Sequence, residues 1–84
     1  MSDQLSIERA ANFHRFATNL RAFAERQEAK APGRMDHITG PVLVAAEAAE
    51  RAAAAYAAGD KAAASAARAE YAVLCVGTVA MAAG

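Results

Sequence analysis

The chain has 84 residues, nine basic and nine acidic side chains, and no net charge at pH 7, which makes it a single domain, 1–84, at the size where one core leaves little stability in reserve. The balance is kept along its length, six basic against five acidic residues through Gly40 and three against four after it. That excludes the concentrated positive surface of a nucleic-acid binder and the polybasic stretch of a membrane anchor.

The single cysteine, Cys75, allows no internal disulfide, zinc finger or CxxC redox pair, so a reducing cytoplasm is the expected compartment. The opening Met1-Ser2-Asp3-Gln4 has neither the positive region nor the apolar core of a signal peptide. The apolar share is 56%, but 27 of the residues in it are alanine. The large apolar side chains gather in three clusters, Leu5 to Phe23, Met35 to Val44 and Tyr71 to Met81. Three clusters that must meet in one core predict an all-α fold, a small three-helix up-down-up bundle.

The first helix is predicted over about 3–31. Phe13, Phe16, Leu20 and Phe23 are spaced three, four and three apart, a stripe of large side chains at heptad spacing. Its extension runs into Ser6 and Arg9 before and Gln27 and Lys30 after, so the seam is about two heptads long and serves local packing instead of a long coiled coil. Pro32-Gly33 stops the helix, because proline disfavours a helical residue before it and glycine accepts left-handed turns.

Arg34 to Pro41 reads as the connection, with Met35 and Ile38 tucked beneath the bundle and Thr39 or Gly40 capping a second helix over about 41–58 that carries Pro41 in its first turn. Gly59-Asp60 then offers a C-terminal glycine followed at once by an N-capping aspartate, the signature of a helical hairpin. A third helix over about 61–82 follows, although Tyr71 to Val79 is rich in strand-favouring residues and contains Gly77.

Between Ala45 and Ala69 sixteen of twenty-five residues are alanine, the strongest helix former and one that lets neighbouring backbones approach closely. Folding the hairpin about its turn sets Leu43 near Val76 and Ala46 near Val73. The alanine layers nearer the turn then need a bulky cover, which Phe13, Phe16, Leu20 and Phe23 of an antiparallel first helix supply, large against small.

No catalytic, cofactor or metal site is expected. His14 and His37 stand apart from any further ligand at metal-binding spacing, and Asp36-His37 in a loop lacks the nucleophile or pocket that acid–base chemistry needs. Cys75 between Leu74 and Val76 reads as a packing group rather than a reactive thiol. Glu47, Glu50 and Arg51 with Arg68 and Glu70 form a polar face or cross-helix ion pairs. The apolar run from Tyr71 to Gly84 is fourteen residues long, short of the ~20 that span a bilayer. At about 100° per residue, Arg9, Arg15, Arg21 and Arg26 do not share a face, which disfavours a nucleic-acid groove reader.

The hairpin segment Ala55-Tyr56-Ala57-Ala58-Gly59-Asp60, followed by Ala64, is similar to the turn between the two helices of a tetratricopeptide repeat, a family that binds peptides and proteins. The likeness occurs once, with no second copy at a spacing of about 34 residues, and a lone repeat cannot stack into a binding superhelix. It reads as general helical-hairpin chemistry rather than membership.

The resulting expectation is a small non-enzymatic protein-interaction module, an adaptor or inhibitor of a larger protein partner of the kind that phages and mobile elements encode, with Arg15, Arg21 and Arg26 as partner-binding residues. The alternative is a structural subunit of a homo-oligomeric helical assembly. An enzyme or ligand carrier is disfavoured because few polar groups converge on a pocket.

Overall fold

A computed structural model describes residues 2–34 and 36–83, with side-chain environments for 4–34 and 36–75. Three helices follow one another, α1 (Ser2–Lys30), α2 (Asp36–Ala58) and α3 (Lys61–Ala83). Alternate directions make the expected up-down-up bundle, with α2 packed against both α1 and α3. The strand-favouring run after Tyr71 is helical, as the alanine-rich lead-in dictates. Met35 and Val76, the latter expected opposite Leu43, lie outside the described side chains.

Both connections are built by glycine at positive φ. In the first, the Arg34 N–H donates to the Ala31 carbonyl at 3.0 Å, and Gly33 (φ 74°) follows Pro32, the residue order of a type II turn. The Gly33 N–H donates to the Glu28 carboxylate at 3.0 Å. In the second, the Asp60 N–H reaches the Ala55 carbonyl (3.0 Å) and the Gly59 N–H that of Tyr56 (3.2 Å), the paired bonds of a Schellman motif. The Asp60 side chain in turn accepts from the Ala63 N–H at 3.0 Å and caps α3. One residue closes α2 and opens α3.

The start of α2 departs from expectation. It begins at Asp36 and carries Pro41 inside, so Asp36 and His37 belong to its first turn, and Thr39 is a buried interior residue instead of a cap. The cost is small this near the end, because the first four N–H groups lack intrahelical partners anyway and proline removes only one bond more. Gly40 before it has no Cβ to clash with the proline ring.

The core is also set differently along α1. Phe13 is 8% exposed and Ala17 and Ala24 are buried, whereas Phe16 (40%) and Phe23 (36%) are not. The seam therefore runs Phe13, Ala17, Leu20, Ala24, with Phe16 and Phe23 along its edge. Ala17 joins Ala46, Ala49, Ala52 and Ala67 in one cluster with Phe13, edged by Leu20, Tyr56 and Tyr71. Phe13 and Leu20 thus cover the alanine layer, large against small as expected, whereas Ala17 and Ala24 take the inward places expected of Phe16 and Phe23. Val42 is the largest fully buried side chain. Val73, placed opposite Ala46 by the turn, is 72% exposed, and Tyr71 packs on the cluster in its stead.

Among the described residues no Cα of α1 comes within 8 Å of one in α3. The two helices flank α2 and are bridged by aromatic rings, Phe13 and Phe16 meeting Tyr71, with a groove between them. The molecule is correspondingly long, 45 × 20 × 16 Å, with a radius of gyration of 13.8 Å against about 12 Å for a compact chain of this length. The 29 residues of α1 at 1.5 Å each account for the long axis.

Candidate functional site

The groove between α1 and α3 has an aromatic middle. Phe13 stacks on Tyr56 (centroids 5.8 Å, 18°) and meets Tyr71 edge-on at 5.4 Å and Phe16 edge-on at 5.5 Å. Phe16 and Tyr71 lie parallel at 5.9 Å. Burial pushes the Tyr71 hydroxyl pKa far above its ordinary value, and a hydrogen bond with half-buried Cys75 adds to the rise. These groups hold the wall of the groove together and leave the outer face of Phe16 to solvent.

Because Phe16 faces α3, the flank of α1 that carries it is the α3-facing one. Leu5 and Phe23 share that flank, each within about 20° of Phe16 around the helix axis. All three are exposed, Leu5 at 48%. They form an apolar edge along the groove.

The three arginines expected to bind a partner are not brought together. Arg26 falls about 20° around the helix from Arg15 and about 16 Å along it, and Arg21 falls about 120° away. Arg15 and Arg26 are exposed and, among the described residues, make no ion pair. They flank the apolar edge on its outward side. Arg21 pairs with Glu50 across the α1–α2 seam. The bond to Arg21 holds the Glu50 carboxyl below its ordinary value, outweighing partial desolvation, with a smaller pull from His14, and Glu50 in turn raises the pKa of Arg21. Arg51 and Glu70, expected to pair across helices, bond at 2.7 Å, whereas Arg21, expected to meet a partner, is held by Glu50.

At the hairpin end the groove widens into a cleft of about 400 Å³ lined by the start of α1, the end of α2 and the start of α3. Arg9, Lys61 and Arg68 line it with Ser6, Ser65 and Tyr56. Polar groups thus converge here, contrary to the expectation that they would not. The available signal was the spacing of Lys61, Ser65 and Arg68 at i, i+4 and i+7, one face of α3.

Comparison with protein-family models, with curated proteins and with solved structures finds no match for this chain. Among the described residues no three His, Cys, Asp or Glu side chains assemble a metal shell, and no helix is long and apolar enough to cross a membrane.

Proposed function

We propose that the chain is a protein-interaction module without catalytic activity, an adaptor or inhibitor that covers part of a larger protein, and that the apolar edge of α1 is the surface it offers. The supporting observation is alignment: among exposed large apolar residues that also include Ile7, Leu43, Val44 and Val73, Leu5, Phe16 and Phe23 (36–48% exposed) share one flank of α1, while the core is almost wholly alanine. Each Å² of apolar surface left in water forgoes about 25 cal/mol, a loss that docking recovers. Aromatic anchors beside arginines are the usual energetic centres of protein interfaces, and Arg15 and Arg26 supply the cations. Arg21, committed to Glu50, contributes less.

The test is affinity capture of the tagged chain from lysate of its native host, with and without nuclease, in parallel with a Phe16→Ser/Phe23→Ser variant and a Val73→Ser control. A stoichiometric, nuclease-resistant protein retained by the control and lost by the edge variant supports this reading. Equal capture by all three overturns the placement of the surface.

One observation favours a second reading, self-assembly. The chain exposes 5449 Å², about 750 Å² more than a folded monomer of its mass, close to the ~800 Å² that one partner contributes to a standard interface. With zero net charge, copies do not repel. A light-scattering mass at a multiple of 8.6 kDa, with only the chain itself captured, selects this alternative.

A further inference from the structure

The cleft at the hairpin end continues the groove and shares Tyr56 with its aromatic middle, but its chemistry is of another kind. Arg9, Lys61 and Arg68 line it, with Asp60 the one carboxylate among its described lining residues. Among the described residues none of these cations makes an ion pair; the pairs found there are Arg21–Glu50 and Arg51–Glu70. The Asp60 carboxylate is occupied in capping Ala63. In a chain of zero net charge, a concave site thus carries a local positive excess, and concavity between low-dielectric walls focuses such a field.

The donors are also arranged. The Arg9 guanidinium lies over the Tyr56 ring, 5.7 Å from its centroid, a cation–π contact that holds it in place while its N–H edge remains available. Lys61, Ser65 and Arg68 lie along one face of α3 opposite it, and Ser6 adds a hydroxyl one turn before Arg9. Leu5, Tyr56 and Ala64 give the cleft apolar wall as well. Its volume of about 400 Å³ falls within the range of small-molecule sites, which combine apolar lining with a few convergent polar groups.

We infer that this cleft binds an oxyanion, a carboxylate or phosphate borne on a short apolar body, with Arg9 and Arg68 holding the anion and Tyr56 and Leu5 covering the body. Two arginine forks suit planar or tetrahedral oxyanions, which accept paired charge-assisted hydrogen bonds. Leu5 belongs both to this cleft and to the apolar edge of α1, but Arg9, Lys61 and Arg68 belong to the cleft alone, and the inference rests on them.

The experiment is an amide chemical-shift titration of the full-length ¹⁵N-labelled chain with inorganic phosphate, acetate and hexanoate in turn. Saturable shifts confined to Ser6, Arg9, Gly59, Lys61, Ser65 and Arg68 are expected, and whether phosphate or hexanoate produces them tells the two anion chemistries apart. Arg68 makes no ion pair or ring contact among the described residues, so Arg68→Gln tests binding without disturbing packing. It should weaken affinity at least about tenfold, the loss of one charge-assisted hydrogen bond, with helicity by circular dichroism unchanged. Shifts that stay linear with every anion, that scatter over the whole chain, or that persist at equal affinity in the Arg68→Gln protein overturn the inference.

Discussion

The ring of Phe16 lies parallel to that of Tyr71, centroids 5.9 Å apart and planes within 5°, and so ties α1 to α3 where no described Cα of one comes within 8 Å of a Cα of the other. Phe13, beneath both rings, is 8% exposed, while Phe16 is 40% exposed. One residue is core and the other is lid.

That difference fixes the outcome of two truncations. Phe13→Ala empties a buried site bounded by helices and should cost about 3–5 kcal/mol, a large part of what a domain of this size possesses. Phe16→Ala loses the stacked contact with Tyr71, the edge-on contact with Phe13 and partial burial, and should cost about 2 kcal/mol. Urea denaturation followed by circular dichroism measures both; equal costs would contradict the placement of Phe16 at the surface.

The alanine seam makes the opposite demand. Ala49 is fully buried in the cluster that includes Ala17 and Ala46, where neighbouring helices leave no room for a longer side chain. Ala49→Leu should destabilise by about 1–3 kcal/mol through overpacking despite added hydrophobicity. Ala62→Leu, at an exposed site of α3, should stay within about 0.5 kcal/mol of the parent. A stabilised Ala49→Leu protein would mean that the helices stand further apart than described.

Much of this arrangement was legible beforehand. Gly59-Asp60 specified the hairpin because a left-handed C-terminal residue and an N-capping carboxylate leave one local solution, and Pro32-Gly33 did the same for the first turn. What the spacing of Phe13, Phe16, Leu20 and Phe23 could not convey was which neighbouring stripe faces inward. The two stripes share Phe13 and Leu20 and differ by only about 50° around the helix, and the choice fell to Ala17 and Ala24, whose small size reads as featureless until a second alanine helix lies against it. The cleft was hidden for a related reason. Arg9 and Arg68 are 59 positions apart in the numbering, and only the meeting of helix ends at the turn makes them neighbours.

The early start of α2 yields a conditional prediction. Gly40 sits inside the helix with open space where a Cβ would project, so Gly40→Ala alone might be thought to gain the usual helix-propensity difference. The following Pro41 reverses this, since its ring crowds the Cβ of a helical residue before it. Gly40→Ala should therefore bring no gain in the parent and a gain of about 0.5–1 kcal/mol in a Pro41→Ala background. A double-mutant cycle by thermal or urea unfolding reads the coupling directly, and additive effects would show that Pro41 does not dictate the glycine.

The Arg21–Glu50 bridge predicts a pH dependence of definite sign. Glu50 has its carboxyl held below the ordinary value of 4.5, chiefly by the bond to Arg21. The folded state therefore binds this proton less readily than the unfolded chain, and stability from the pair is complete above 4.5 and declines as pH falls through the lower folded-state value. Both side chains are more than 40% exposed, so solvent screens the pair and the effect is small. The melting temperature of the parent should exceed that of Glu50→Gln near neutral pH, the gap closing in acid as Glu50 takes up its proton, and added salt should narrow it at neutral pH. A gap that widens in acid would reverse the sign and place Glu50 in an environment that favours its neutral form.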